Sequence, residues 1–250
     1  MRKLLLLIFP FLLLSCATKK EIVYFQDSET LHLKETGLSF EPIIENNDIL
    51  HISLSSQSEV GLSPFQKKTA IGSNMSTNNP GLEGYLVDSG GSIQFQILGD
   101  ITVAGKTRAE VEDVLQSKLS EFVTDVVVDV RILNFKITVL GEVNNPGVFA
   151  IEDERVTLPQ AIGLAGDFSE DGRRENVTVL REVNGVQKVT RIDFTKTDLF
   201  SSPFYYLKQN DVVYVEPTLK GVKKSGFIPD VPALLSLFTI VLSTVIILTR

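Results

Sequence analysis

Two capping boxes constrain this chain more than any other feature. Thr107-Arg108-Ala109-Glu110 and Thr157-Leu158-Pro159-Gln160 each set a hydroxyl three residues ahead of a carboxylate or amide. The two side chains satisfy each other's first helical N–H groups, so a helix must begin at each box. Both helices lie between alternating strands within Tyr85–Pro217. After the first box, Val111, Val114, Leu115, Leu119 and Phe122 recur at helical spacing, while Glu110, Glu112, Asp113, Gln116 and Lys118 fall on the wet side. Before it, Tyr85-Leu86-Val87, the turn Asp88-Ser89-Gly90-Gly91 and the alternation Ile93, Phe95, Ile97 read as a hairpin. After it, Val126, Val128, Val130 and Ile132 alternate with polar or outward residues.

The second block repeats the plan. Ile137 and Val139 run into the turn Asn144-Asn145-Pro146-Gly147, and Val148 to Ile151 return. The short helix Leu158 to Ala165 stops at Gly166, placed as a C′ glycine. Strands at Val177–Val183 and Gln187–Phe194 flank Asn184-Gly185, a two-residue hairpin turn. Asn210-Asp211-Val212-Val213-Tyr214-Val215 echoes Asn47-Asp48-Ile49-Leu50-His51-Ile52, each a polar turn entering an alternating strand. The expected fold is α+β: two small β-rich domains, each with a covering helix. Earlier, 57–84 is rich in Ser, Asn, Gly and Pro and reads as a long exposed loop. Ile22 to Phe25 reads as a possible early strand.

The ends place the chain. Arg2 and Lys3 precede the apolar run Leu4–Leu14, the pattern of a secretory signal peptide over 1–15. Leu13-Leu14-Ser15-Cys16 resembles the bacterial lipobox, which implies cleavage before Cys16 and a diacylglycerol on its thiol. Cys16 is the single cysteine, so no disulfide forms within the chain. Residues 16–39 then form a lipidated tether. Residues 231–249 carry no charge; as a helix they measure about 28 Å against a hydrocarbon core of roughly 30 Å. That reads as a transmembrane helix behind a linker at 218–230. Lys220, Lys223 and Lys224 upstream of it oppose a positive-inside arrangement in the inner membrane and favour the outer membrane. Ala17, not an aspartate, follows Cys16, which is consistent. Once Arg2 and Lys3 leave with the signal, 22 basic residues face 31 acidic ones, a net charge of −9. An acidic chain without basic clusters excludes nucleic acid as a partner.

These residues resemble the outer-membrane polysaccharide export lipoproteins, the Wza-type family. Tyr85, Val87, Asp88, Gly91, Ile93, Leu98, Gly99, Ile101, Val103, Ala104, Gly105 and Thr107 fill the motif of that family's export domain. Val139, Gly141, Val143, Pro146 and Gly147 match the opening of a β-grasp-like soluble-ligand-binding (SLBB) module. Leu164-Ala165-Gly166 matches its helix end, and Asn210 to Pro217, with Asp211, its closing strand. The resemblance implies an export domain at 40–133 and the SLBB module at 134–217. It departs in that Asp167 stands where the family often has a second glycine, Asn210 stands for a glycine ahead of the closing strand, only one module fits before the terminal helix, and that helix is more uniformly apolar than the amphipathic one of the best-known relatives. It implies a non-enzymatic homo-oligomeric ring that passes polysaccharide through the outer membrane. The implied partners are outer-membrane lipid, the polysaccharide itself and an inner-membrane co-polymerase or tyrosine kinase.

Pro232, Ser236, Thr239 and Ser243 share one narrow arc of the terminal helix. The arc is either a pore or helix–helix face, or a set of hydroxyls bonded back to their own helix. If it only anchors, the chain is a monomeric periplasmic carbohydrate-binding or adaptor lipoprotein. No catalytic constellation is present. His32 and His51 stand alone, no metal-ligand spacing occurs, and no cofactor is expected. Asp48, Asp88 and Asp211 sit in turns ahead of strands, where carboxylates cap backbone N–H groups. Ser89-Gly90-Gly91 has no following lysine and is no phosphate loop.

Overall fold

Both capping boxes form. In the computed structural model, Thr107 Oγ1 accepts from the Glu110 N–H while the Glu110 carboxylate accepts from the Thr107 N–H at 2.8 Å. Thr157 and Gln160 make the same pair. The structure describes residues 22–30, 41–57, 59–65, 84–153, 155–183, 185–219, 221–222 and 231–248. The signal segment, Cys16, His32, most of the 57–84 loop, Asn184 and most of the linker lie outside the described residues.

The first lobe contains β1 (Ile49–Ser55), α1 (Glu59–Leu62), β2 (Tyr85–Leu86), β3 (Ser92–Phe95), β4 (Gly99–Thr102), α2 (Arg108–Leu119) and β5 (Val127–Ile132). β2, β1 and β5 form an antiparallel sheet in that order, and β3–β4 is a separate hairpin. Leu50, Ile52 and Leu54 share a face with their partners Ile132, Val130 and Val128. α2 covers that face. Its Val111, Leu115 and Leu119 are fully buried, each contributing about 1.5–3 kcal/mol of apolar burial.

The second lobe contains β6 (Lys136–Gly141), β7 (Gly147–Ala150), β8 (Val156–Thr157), α3 (Leu158–Leu164), β9 (Gly172–Val183), β10 (Val186–Ile192), a 3₁₀ turn at Thr197–Ser201, β11 (Tyr206–Leu207) and β12 (Val212–Pro217). Its main sheet runs β10-β9-β12-β6-β7, with β12 parallel to β6 and the other neighbours antiparallel. Val177, Val179, Val213, Val215, Ile137 and Val139 line its inner face with Leu158, Ala161 and Ile162 of α3 in the same core. The buried cluster is continuous from one lobe into the other.

Several expectations are corrected. β2 pairs with β1 and not with β3; Asp88–Gly91 only turns the chain between two different pairings. Ile97 leaves the strand alternation: it sits in the β3–β4 turn at φ 69° and is 62% exposed. Phe122 lies beyond the α2 C-cap at Ser120, so its helical phase is lost; it is exposed and meets Phe65 instead. The 57–84 stretch is not loop throughout, because α1 forms there and Leu62 and Phe65 are buried. Ile22 to Phe25 forms no strand.

The terminal helix, α4, spans Val231–Leu248. Among the described residues no helix is long and apolar enough to cross a membrane, so the expected transmembrane helix is not shown by them. The 18 residues of α4 measure about 27 Å at 1.5 Å per residue, and every side chain from Leu235 to Leu248 is exposed.

Candidate functional site

Two equivalent turns hold the junction between the lobes. In the first, the Asp48 carboxylate accepts from the Glu45 N–H at 2.8 Å, the Asp48 N–H donates to the Glu45 carbonyl, and Asn47 sits at φ 70°. In the second, the Asp211 carboxylate accepts from the Lys208 N–H at 2.8 Å, the Asp211 N–H donates to the Lys208 carbonyl, and Asn210 sits at φ 62°. The left-handed residue is Asn in both, one of the few side chains that tolerate that region. The echo in sequence is therefore a repeat of turn geometry.

Both turns grip the connector Asn134-Phe135-Lys136. Asn134 accepts from the Ile49 N–H at 2.9 Å and donates to the Asn47 carbonyl at 3.0 Å. From the other side, Gln209 donates to the Asn134 carbonyl and accepts from the Lys136 N–H, both at 2.8 Å.

Asp211 has a second role that the turn signal does not disclose. Its carboxylate is fully buried and takes the Arg181 guanidinium in a fork, Nε to Oδ1 at 2.9 Å and Nη2 to Oδ2 at 2.6 Å. Arg181 also donates to the Tyr206 carbonyl at 2.9 Å and the Pro203 carbonyl at 3.3 Å, and lies 4.6 Å over the Phe204 ring. The pair ties β9 to the segment entering β12. A buried pair of this kind costs desolvation, offset here by hydrogen bonds from all three guanidinium nitrogens.

The tether docks on the second lobe, which sequence reasoning missed. The Phe25 and Gln26 N–H groups donate to the Phe194 and Thr195 carbonyls at 3.2 and 2.7 Å. The Asp27 carboxylate accepts from the Thr197 N–H at 2.8 Å and its hydroxyl at 3.0 Å. This caps the 3₁₀ turn, whose own N-cap residue, Lys196, supplies no side-chain bond. Tyr24 and Phe25 join Phe168, Phe194 and Phe200 in an aromatic cluster, and Arg174 stacks over Tyr24 and Phe168. The Tyr24 hydroxyl donates to the Asp167 carboxylate. Burial, then the bond and charge of Asp167, push the Tyr24 pKa up to about 12.

Asp167 explains one departure from the family motif. Its backbone is at φ 73°, a conformation that suits glycine, and its side chain caps the Phe168 N–H at 2.7 Å while holding Tyr24. Glycine could supply the backbone but not the clamp.

The other motif residues are placed as follows. Asp88 accepts from the Ser92 N–H at 2.9 Å. At Gly91 (φ 81°) a Cβ would lie 2.8 Å from that of Ala104, and at Gly141 (φ 88°) it would lie 2.1 Å from the Val215 carbonyl oxygen. These two allow close backbone approach, whereas nothing stands within 4 Å of a Cβ at Gly99, Gly105 or Gly147. Gly147 begins β7 behind Pro146. On α4, the Thr239 hydroxyl donates to the Ser236 carbonyl at 2.8 Å and the Ser243 hydroxyl to the Thr239 carbonyl at 2.6 Å. No group of three His, Cys, Asp or Glu among the described residues is placed to hold a metal ion.

Comparison with known proteins fits this architecture. Residues 39–133 match the family model described as polysaccharide biosynthesis/export protein. Residues 135–215 match the SLBB domain model. The chain is 35% identical over 142 residues to the EPS I polysaccharide export outer membrane protein EpsA of Ralstonia solanacearum, covering 55% of this chain and 37% of that protein. It is 42% identical over 93 residues to the EpsA of Ralstonia nicotianae, covering 36% of this chain and 24% of that protein. It thus spans less than two-fifths of the relatives it matches. An export domain match meets an SLBB match at the gripped connector: residues 39–133 are similar to polysaccharide biosynthesis/export proteins and residues 135–215 to the SLBB domain.

Proposed function

We propose that this chain is one subunit of an oligomeric outer-membrane channel that carries capsular or exopolysaccharide from the periplasm to the cell surface. The work is passive conduction; no bond is made or broken, and the chain is not an enzyme. In this reading 40–133 is the export domain, 134–217 the SLBB module, and 231–249 the membrane segment.

One observation carries the reading. From Leu235 to Leu248 every side chain of α4 is exposed, including Leu235, Leu237, Phe238, Ile240, Val241 and Leu242. An apolar surface of that extent requires lipid or further copies of itself around it. One helix cannot enclose water, so a lumen requires several subunits. The Ser236, Thr239 and Ser243 arc then faces the lumen or a neighbouring helix.

The clamp supports an orientation. Cys16 lies eight residues before Tyr24, a reach of at most about 29 Å, and Tyr24 is fixed to the second lobe. The chain toward α4 leaves from the same lobe at Pro217. Acylated Cys16 and α4 would therefore hold the SLBB module near the outer membrane, with the export domain extending toward an inner-membrane co-polymerase or tyrosine kinase.

A second reading, a monomeric adaptor lipoprotein, is favoured by the Thr239 and Ser243 hydroxyls bonding back to their own helix. Electron microscopy of detergent-extracted protein and a Ser236→Leu/Thr239→Leu/Ser243→Leu variant separate the two. Rings, and loss of export in the variant, support the channel. Strictly monomeric particles that leave export intact reject it.

A further inference from the structure

Between the two junction turns lies a cavity of about 230 Å³, lined by Glu41, Pro42, Ile43, Glu45, Asp48, Ile132, Phe135, Lys208 and Gln209. Domain seams are common places for ligand pockets, and this one is below the roughly 300–1,000 Å³ that encloses drug-sized molecules. It has room for one six-membered ring and not for an oligomer.

Its lining divides into used and unused groups. Asp48 is committed to its turn and Gln209 to the connector. Among the described residues, the Glu41 and Glu45 carboxylates and the Lys208 ammonium make no side-chain hydrogen bond or ion pair. The carboxylates stand on the wall given by the first lobe and the ammonium on the wall given by the second. Pro42, Ile43, Ile132 and Phe135 supply an apolar surface between them. Glu41, Ile43 and Glu45 are exposed, so the cavity opens to solvent on the first-lobe side; partial desolvation still raises the Glu45 pKa.

We propose that this seam cavity binds a single sugar ring, neutral or amino-substituted, in preference to a uronic acid. The C–H face of a pyranose matches the apolar surface. Its hydroxyls donate to Glu41 and Glu45 and accept from Lys208. Two free carboxylates against one ammonium leave the cavity negative, so a sugar carboxylate meets like charge. The inference rests on the polysaccharide export reading and adds a point of contact for the polymer or a free sugar at the junction of the lobes.

The test is saturation-transfer NMR on the detergent-solubilised full chain with D-glucosamine, D-glucose and D-glucuronate. Glucosamine and glucose are expected to bind with Kd on the order of 1 mM, and glucuronate at least about tenfold more weakly. Glu45→Lys reverses a wall charge, and Ile43→Trp fills the cavity from a position 46% exposed. Both should abolish the signal while the thermal midpoint stays that of the parent. The proposal fails if no sugar gives a signal, if glucuronate binds as well as glucosamine, or if both folded variants bind like the parent. Surface polymer is measured in parallel in a deletion strain complemented with this chain. Export without sugar binding overturns the seam site alone. Sugar binding without export upholds the site and overturns the channel.

Discussion

Removing the Arg181 side chain charge should unfold the second lobe more readily than removing its ion-pair partner along with it. Arg181 is 6% exposed and Asp211 fully buried. In Arg181→Met the carboxylate keeps only the Lys208 N–H, and the Tyr206 and Pro203 carbonyls lose a donor. Breaking one side of a buried pair costs about 3–5 kcal/mol, because the remaining charge is stranded. Arg181→Met/Asp211→Asn removes that charge, and the amide oxygen can still accept from Lys208. The residual loss is then the unpaired carbonyls, about 1–3 kcal/mol. At roughly 2–4 °C per kcal/mol for a chain of this size, the single variant should melt about 6–20 °C below the parent and the double variant distinctly above the single. Circular dichroism suits the assay, as the chain has no tryptophan. A double variant no more stable than the single, or a single variant within about 1 kcal/mol of the parent, would refute the reasoning.

The clamp should respond to both mutation and alkali. Phe25→Ala removes ring contacts with Tyr24 and Phe200, worth about 1 kcal/mol per pair, and should speed proteolysis between Cys16 and the first lobe. The Tyr24 pKa is raised from 10.0 to about 12. The unfolded tether loses its proton first, so the stability given by Tyr24 is complete below pH 10 and disappears as pH rises through about 12. Tyr24→Phe should flatten that part of the proteolysis profile. Gly141→Ala drives a Cβ into the Val215 carbonyl and should cost about 3 kcal/mol or more, whereas Gly147→Ala should stay within about 0.5 kcal/mol by thermal melt. Cys16→Ser should end palmitate incorporation without lowering the melting midpoint of the lobes.

What was readable in the sequence is what depends on neighbours along the chain. Thr107 and Glu110 cap a helix from three residues apart, and Asp48, Asp88 and Asp211 bond N–H groups three or four residues away. Such contacts need no knowledge of the fold. Phe122 and Ile97 were misread because a period was extended past the residue that ends it, Ser120 in one case and the β3–β4 turn in the other. The clamp was out of reach altogether: Tyr24 meets Asp167 across 143 positions and Asp27 meets Thr197 across 170. Nothing local in Ile22–Asp27 distinguishes a docked segment from a loose one. Arg181 was hidden for the same reason, since an arginine in an alternating strand reads as solvent-facing until β12 is laid beside it. The seam cavity required two distant segments, Glu41–Asp48 and Lys208-Gln209, to converge on Ile132 and Phe135.

The matched turns on either side of Asn134 also have a mechanical meaning. Polymer dragged along one lobe loads the junction in shear, and a single tether there would act as a swivel. With Asn47 and Gln209 gripping the same three residues from opposite directions, twist applied to the first lobe passes into the second. Subunits built this way would transmit torque around an assembly as stiff spokes, and any opening motion would arise between copies rather than within one.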